Sequence, residues 1–301
     1  MKISRISTSP YQNSNFLEKE RAALSEFEKI DEKGEVLITN TLTDISSIDT
    51  TNLRLIIHPN SGYDNFPIDF VKEAVCPIVI GNEIRAQAVS EYILFCLFKR
   101  FGIFSHQNSW DRKLKNRFLL KDKNILIVGF GHIGKLVRKT LEPLAGNIFI
   151  VDPFVEGCHK SLVEISLKIC DVVILSSSLN PTSFHLINRE ILEKFPKDLT
   201  LINPSRGNLV SQKDLVNFLK MNPDSFAFLD VFEEEPNDLA FQEVNNLFAT
   251  SHIAGVFENL DDQIIDFERR VLTDFFNYPS EFFTKYKNSL LKNRIRDNFL
   301  V

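Results

Sequence analysis

Three charged or titratable side chains each follow a short apolar stretch in the second half of the chain. Arg206 follows LTLIN and precedes Gly207, Glu235 lies in VFEEEP after FAFLD, and His252 ends LFATSH. A guanidinium can bind a planar carboxylate through two hydrogen bonds and polarise a neighbouring carbonyl. An imidazole can transfer the proton that accompanies hydride transfer, and a carboxylate on its other ring nitrogen fixes the tautomer. Together these residue types predict carbonyl reduction in a 2-oxo acid.

Taken singly, each of these side chains also fits a solvated surface turn. Their order along the chain favours chemistry, because a glycine loop precedes them. The segment VGFGHIG puts Gly129, Gly131 and Gly134 in GxGxxG spacing after an apolar strand and before a helix. Such a turn lets the backbone approach a pyrophosphate, and the helix N-terminus offers N–H groups to it.

An acidic residue follows the glycine loop at the end of the next strand. Asp152 can accept hydrogen bonds from the ribose hydroxyls of a dinucleotide and would repel a 2′-phosphate. We therefore predict NAD, with FAD or an ordinary strand–turn–helix as the alternatives. His132 and Ile133, inside the loop, are predicted to contact the cofactor with the three glycines.

Composition excludes several other classes of function. The 301 residues are 44% hydrophobic and 25% charged, with a net charge of −5, which is typical of a globular protein without a nucleic-acid partner. No secretory signal or membrane span is expected, and we predict a cytoplasmic location. The four cysteines form no CxxC pair and the six histidines show no ligand spacing, so we predict reduced core thiols and no metal site.

Apolar runs alternate with amphipathic stretches along the chain, which predicts an α/β fold of two doubly wound parallel sheets. The predicted strands cover 35–40, 53–57, 77–81, 124–129, 147–152, 171–176, 199–203, 226–231 and 247–252. The predicted helices cover 66–75, 86–104, 133–144, 161–169, 188–195 and 212–220, with more helix after 258. Ligands in such sheets collect at the carboxyl ends of strands, where Arg206, Glu235 and His252 lie.

Several motifs in this order resemble the D-2-hydroxyacid dehydrogenase family. VGFGHIG with Asp152 is similar to its dinucleotide signature, and SLNPTSFHLINREIL resembles a second signature, a loop along the cofactor that includes Pro181. LINPSRGNLV, LDVFEEEP and SHIAG resemble the three segments that carry its catalytic residues. NSGYDN and AQAVSE resemble its substrate-carboxylate loop and the start of its interdomain helix.

The resemblance implies a role for each matching residue. Arg206 would bind the substrate carboxylate and carbonyl, His252 would be the general acid/base, and Glu235 its partner. Asp230 would contact the nicotinamide carboxamide. Ser61 and Gly62 would offer backbone N–H groups to the substrate carboxylate.

The family resemblance also implies an organisation. A discontinuous substrate domain would comprise 1–84 and 258–301, an NAD-binding domain would comprise 85–257, and a cleft between them would close on the substrate. A homodimer joined through the cofactor domains is expected. The alternative is a protein that senses NAD(H) on the same scaffold without turnover, as a corepressor does.

The substrate stays open at this stage. Glyoxylate, hydroxypyruvate and 3-phosphohydroxypyruvate all fit a small 2-oxo acid site. A phosphorylated substrate requires extra cations, and no basic cluster is visible near HPNSGYDN. Arg54 and Arg85 have no predicted place.

Overall fold

Strands alternate with helices in the computed structural model, which describes residues 2–6, 13–29, 34–102, 118–236 and 244–301. The chain divides into two units, the first made of Met1–Arg85 with Val256–Val301 and the second of Ala86–Gly255. Each unit has its own parallel sheet and its own buried core. The predicted α/β class with two parallel sheets is confirmed.

The strands are short and the helices vary from one turn to five. The strands are β1 (Lys2–Arg5), β2 (Glu28–Lys29), β3 (Val36–Ile38), β4 (Leu55–His58), β5 (Ile78–Ile80), β6 (Asn124–Val128), β7 (Asn147–Val151), β8 (Val172–Leu175), β9 (Thr200–Asn203), β10 (Phe226–Leu229), β11 (Leu247–Ala249), β12 (Ile295–Arg296) and β13 (Phe299–Leu300). The helices are α1 (Ser14–Ala23), α2 (Ile68–Glu73), α3 (Ala86–Phe101), α4 (His132–Leu141), α5 (Arg189–Leu192), α6 (Gln212–Met221), α7 (Leu260–Asn277) and α8 (Pro279–Lys285).

In the first unit the strand order is β2-β1-β3-β4-β5, with all strands parallel. The sheet is apolar on both faces because helices cover it, and β3, β4 and β5 are fully buried. Since β4 and β5 are neighbours and parallel, the loops that follow them begin at the same edge of the sheet.

In the second unit the strand order is β11-β10-β9-β8-β6-β7, again all parallel. The chain leaves β6, forms β7 on one side of it and later returns to form β8 on the other side. The order therefore reverses at β6, and the loop after β6 opens at the point where such sheets bind ligands.

One predicted helix is wrong. Residues 161–169 form two separate 3₁₀ turns, Leu162–Glu164 and Leu167–Ile169, instead of one helix. Ile165 between them is extended, with φ −116° and ψ 140°. The β-branched residues of SLVEISLKI disfavour helix, and the apolar spacing that suggested one is also met by two turns that bury a leucine each.

The two chain ends contain structure that the sequence patterns did not indicate. β1 pairs with both β2 and β3, so it is an interior strand of the first sheet. At the other end, β12 and β13 form a small antiparallel pair, and Leu290, Leu291 and Leu300 are buried. The C-terminal segment therefore packs in the first unit.

Cys76, Cys96 and Cys170 are buried and free, as predicted for core thiols. Across the described ranges, every helix is too short or too polar to cross a bilayer.

Candidate active site

The glycine loop after β6 is closely packed at two of its three glycines. Gly129 has φ +94°, and a Cβ there would stand 2.5 Å from the Ser177 nitrogen. A Cβ on Gly134 would stand 2.2 Å from the Gly129 carbonyl oxygen, which also accepts a hydrogen bond from Ser176 Oγ at 2.7 Å. Only glycine fits at these two positions, because any side chain would separate the loop from the strands that flank it.

Gly131 differs from the other two, because a Cβ there would meet nothing within 4 Å. It caps α4, whose first residues are His132 and Ile133, and the first N–H groups of a helix have no partner within the helix. Open space beside Gly131, at the positive end of the helix, fits an incoming pyrophosphate. The residues present therefore fit the dinucleotide that the spacing predicted.

Asp152 follows β7 and fixes the same loop. Its Oδ2 accepts a hydrogen bond from the Phe130 N–H at 2.7 Å, and its Oδ1 accepts one from the Phe154 N–H at 2.8 Å. The carboxylate thus lies directly beside the glycine loop. Each oxygen keeps a second lone pair that a ribose hydroxyl could use.

Arg206 follows β9, and Gly207 explains its position. A Cβ on Gly207 would stand 1.9 Å from the Phe232 carbonyl carbon, so the backbones that follow β9 and β10 touch here. Arg206 Nη1 donates to the Ser205 carbonyl at 2.7 Å, and its own carbonyl accepts from Asn203 Nδ2 at 2.8 Å. The close approach brings the loop that carries Arg206 against the segment that leads to Glu235.

His252 and Glu235 form the predicted pair. His252 Nδ1 lies 2.9 Å from Glu235 Oε2, and Glu235 Oε1 accepts from the Phe232 N–H at 3.1 Å. An ionised carboxylate only accepts, so Nδ1 carries the proton and Nε2 is left for a substrate. The His252 side chain is 57% exposed and its backbone has φ +57°, a left-handed conformation that histidine adopts at a cost.

Asp230 holds the turn that presents His252. It is 1% exposed and accepts three hydrogen bonds, from Thr250 Oγ1 at 2.6 Å and from the N–H groups of Ile253 and Ala254 at 2.8 Å. The N–H of His252 donates to the Asp230 carbonyl at 2.8 Å. Asp230 is thus a positioning residue for His252, and its contact with the nicotinamide stays a prediction.

Two neighbours of this turn were missed by the sequence patterns. Tyr92 on α3 lies 2.9 Å from Thr250 Oγ1, which extends the chain of hydrogen bonds from Asp230 to α3. Burial and the nearby Asp230 charge raise the pKa of Tyr92, while its hydrogen bond to Thr250 lowers it. The tyrosine therefore stays neutral. Nothing in the spacing of YILFCLF distinguishes it from a core residue.

A second imidazole faces the same acidic turn. His185 Nε2 lies 3.0 Å from Glu233 Oε1, and the His185 ring stacks on the exposed Phe184 at 4.1 Å between centroids. Like His252, His185 has a positive φ, at +47°. Two glutamates of one turn thus lie within ion-pair distance of two different histidines, although the sequence suggested solvated charges for this turn. Pro181, predicted beside the cofactor, is exposed in the loop that leads to His185.

The predicted substrate loop after β4 belongs to the first unit. His58 is fully buried, with Nε2 2.8 Å from the Gly62 carbonyl and Nδ1 2.9 Å from Thr39 Oγ1. The pKa of His58 is lowered to about 4, mainly by burial; the Arg85 charge contributes to the lowering, while the Gly62 hydrogen bond and Asp64 oppose it. The neutral ring donates from Nε2 and holds Gly62.

The two arginines without a predicted place lie in different surroundings in the first unit. Arg54 is exposed, 3.8 Å from Glu35, with its guanidinium over the Phe276 ring. Arg85 Nη1 donates to the Pro59 carbonyl at 3.0 Å. Arg85, which had no predicted place, therefore lies beside HPNSGYDN as a single cation, because the return of the chain through β5 brings it there.

Residues 97–254 match the model of the D-isomer specific 2-hydroxyacid dehydrogenase, NAD binding domain. The chain is 30% identical over 234 residues to an erythronate-4-phosphate dehydrogenase of Wigglesworthia glossinidia brevipalpis, covering 73% of this chain and 58% of that protein. It is also 30% identical over 244 residues to an (S)-sulfolactate dehydrogenase of Chromohalobacter salexigens, covering 73% of this chain and 78% of that protein.

Solved structures share the fold. The D-lactate dehydrogenase of Aquifex aeolicus, complexed with NAD and lactic acid, matches with a TM-score of 0.73 and 18% identity, covering 97% of this chain and 99% of that one. At this identity the likeness concerns the fold. The chain spans less than two thirds of the length of the erythronate-4-phosphate dehydrogenase that it matches.

Proposed function

The chain belongs to the D-isomer specific 2-hydroxyacid dehydrogenase family, and we propose that it reduces a small 2-oxo acid to the D-2-hydroxy acid with NADH. The observation that carries this proposal is the 2.9 Å contact between His252 and Glu235, next to the loop of Arg206. A protein that only sensed NAD(H) would not require this arrangement.

Each member of the catalytic set has one task. Arg206 binds the substrate carboxylate and polarises the adjacent carbonyl. His252 donates the proton from Nε2 to the carbonyl oxygen as the hydride reaches the carbon, and takes it back in the reverse direction. Glu235 accepts from Nδ1, which fixes the tautomer and stabilises the imidazolium. Asp230 keeps His252 in place through the backbone of the 250–254 turn.

NAD supplies the hydride acceptor or donor when it is bound. We propose that Gly129, Gly131, His132, Ile133 and Gly134 surround its pyrophosphate. Asp152 would accept from the ribose hydroxyls, and its negative charge beside the loop supports a preference for NADH over NADPH. Pro181 and Asp230 are the further predicted cofactor contacts.

The substrate proposal extends to the first unit. Ser61 and Gly62 would give their backbone N–H groups to the substrate carboxylate, and the buried His58 supports this role because it fixes the Gly62 carbonyl. The substrates named for the two curated relatives carry a second acidic group, a phosphate in erythronate 4-phosphate and a sulfonate in sulfolactate. Among the open candidates, these names favour 3-phosphohydroxypyruvate over glyoxylate and hydroxypyruvate.

We also propose domain boundaries and an oligomeric state. The substrate domain would be 1–84 with 258–301, the NAD-binding domain 85–257, and the protein would act as a homodimer through its NAD-binding domains. Exposed aromatic side chains on that unit support the dimer, because Phe95 and Phe98 are each 49% exposed on α3 and Phe118 is 58% exposed. Sedimentation of Phe98→Glu tests it, since a monomeric variant is expected.

The function is tested by following NADH oxidation at the nicotinamide absorbance. Glyoxylate, hydroxypyruvate, pyruvate, 2-oxoglutarate and 3-phosphohydroxypyruvate are offered in turn, with NADPH in parallel. Turnover of at least one 2-oxo acid is expected, with NADH preferred. Tight NADH binding without turnover of any of them would contradict the proposal and favour the NAD(H) sensor.

A further inference from the structure

The loops after β4 and β5 are tied together at the edge of the first sheet. The Gly81 N–H lies 2.8 Å from the His58 carbonyl and 3.1 Å from the Asn60 carbonyl. Arg85 Nη1 donates to the Pro59 carbonyl at 3.0 Å. A Cβ on Gly81 would stand 2.8 Å from the Pro59 carbonyl carbon, so the two loops are in direct backbone contact. They form one structure within this unit.

Two polar side-chain atoms in these loops are buried and make no hydrogen bond to the described part of the chain. Among the described residues, neither Ser61 Oγ nor Asn82 Nδ2 has a hydrogen bond, and Asn82 is only 6% exposed. A buried donor without a hydrogen bond is unfavourable, because it has lost its contact with water and gained no other acceptor. Because both atoms can donate a hydrogen bond, they suit a ligand that accepts hydrogen bonds, such as an oxyanion.

Arg85 adds a positive charge to the same loops. Within the described ranges, no carboxylate lies inside ion-pair distance of its guanidinium, whose one hydrogen bond runs from Nη1 to the Pro59 carbonyl. Burial lowers the pKa of Arg85 to about 10, and Asp261 raises it from farther away. Its charge also acts on His58, which holds the Gly62 carbonyl. A desolvated cation with free donors is stabilised when an anion binds beside it.

We propose that Ser61, Asn82 and Arg85 bind a second acidic group of the substrate, a phosphoryl or sulfonyl group. This proposal rests on the proposed function, because it takes the substrate carboxylate to bind at the N–H groups of Ser61 and Gly62. The substrate class is then a 2-oxo acid with a further strong acid group on its distal carbon. Arg85 is the residue that selects this class, since its planar donors match an oxyanion in pairs.

The test compares hydroxypyruvate with its 3-phosphate, which differ in the second acidic group alone. The ratio of their kcat/KM values is measured for the wild type, Arg85→Gln, Asn82→Asp and Arg54→Gln. The wild type is expected to prefer the phosphorylated compound at least tenfold. Arg85→Gln removes the cation, and Asn82→Asp adds a repelling carboxylate at equal volume, so each should lower the ratio at least tenfold.

Arg54→Gln is the matched control, because it makes the same change at an exposed arginine of the same unit. Its ratio should equal that of the wild type. Circular dichroism of each variant verifies folding. An unchanged ratio in Arg85→Gln and Asn82→Asp would overturn the proposal. Equal losses of kcat/KM for both substrates would also overturn it, because Arg85 would then only hold the Pro59 loop in place.

A binding measurement separates failure of the site from failure of the proposed function. Titration calorimetry with inorganic phosphate is performed on the wild type and on Arg85→Gln without cofactor. Weaker binding to Arg85→Gln than to wild type is expected, and equal affinity would overturn the site. Absence of turnover with every 2-oxo acid, alongside Arg85-dependent phosphate binding, would reject the proposed function and keep the anion site.

Discussion

In the unit Ala86–Gly255, glycine contacts and a carboxylate bonded to backbone N–H groups fix the loops that follow the strands. In the other unit, buried ionisable side chains do the same work: His58 holds Gly62, and Arg85 holds Pro59. Both units place their polar residues at the carboxyl edge of a parallel sheet. The second unit thus relies mainly on close backbone contacts at glycines, and the first unit on buried side chains that bond to backbone carbonyls.

Removing His252 should have the largest effect on catalysis and leave the loop intact. Asn is the substitution of choice, because it tolerates the left-handed backbone at φ +57°. We expect His252→Asn to lower kcat about a thousandfold through loss of proton transfer. NADH affinity, measured by fluorescence titration, should be retained.

His185→Asn is the matched control, since His185 also has a positive φ and also faces a glutamate of the 233–235 turn. Its kcat should stay within about threefold of wild type, because His185 has no part in the proposed proton transfer. If both variants lost activity equally, the turn would depend on its imidazoles for shape, and the assignment of His252 as the acid/base would fail.

The next largest effect is expected on stability, from the buried ion pairs of the first unit. Arg5 on β1 lies 2.8 Å from Glu20 and 2.5 Å from Glu268, and all three side chains are at most 3% exposed. Arg5→Met would leave two buried carboxylates facing each other, so we expect the free energy of unfolding to fall by about 4 kcal/mol. Urea denaturation measures this loss.

Arg54→Met provides the comparison for Arg5→Met, because its ion pair with Glu35 is exposed and 3.8 Å long. It should change the free energy of unfolding by less than about 0.5 kcal/mol. Equal losses in the two variants would mean that burial is not what gives the Arg5 cluster its importance.

These two units also differ in what the sequence could predict. Gly129, Gly131, Gly134 and Gly207 lie in short motifs, so spacing alone indicated the loops around them. The contacts of Gly129 with Ser177 and of Gly207 with Phe232 became visible only in the structure. Arg5 gave no such signal, because Glu268 lies 263 positions away in sequence. A charged residue in a four-residue segment disfavours a buried strand until its distant partners are known, and β1 was therefore missed.

Arg85 was unplaced for the same reason, since its partner is a backbone carbonyl of another loop. Within the second unit, the roles of Thr250 and Tyr92 escaped prediction because a hydrogen bond between α3 and the loop after β11 leaves no periodic pattern. His185 was missed because the 233–235 turn is acidic throughout, and sequence cannot tell which carboxylate is paired.

His58 makes the first unit sensitive to acid. Its pKa is about 4 in the folded protein, mainly through burial, against an ordinary value of 6.5. Between these values the unfolded chain binds a proton that the folded chain does not. Stability from this residue is therefore complete above pH 6.5 and is lost as the pH falls toward 4, by about 3 kcal/mol in all.

Denaturation at pH 7 and pH 4 measures this loss, with His58→Gln as the variant that cannot titrate. The wild type should lose about 3 kcal/mol more than His58→Gln between the two pH values. His159→Gln, which changes an exposed histidine, should behave as the wild type does. An identical pH dependence in His58→Gln and wild type would show that the buried ring is protonated without cost.

The smallest expected effect concerns cofactor choice in the second unit. Asp152→Asn removes the negative charge that faces a 2′-phosphate, so the NADPH to NADH ratio of kcat/KM should rise about tenfold. Both kcat/KM values should also fall, because the amide places its NH₂ group against the Phe130 or the Phe154 N–H, where a carboxylate oxygen now accepts.

Glu156→Gln makes the same charge change at an exposed position of the same loop. A rise confined to Asp152→Asn ties the preference to the contact with the glycine loop. An equal rise in both variants would assign the preference for NADH to the total negative charge of the loop, and the contact between Asp152 and the glycine loop would then not be its cause.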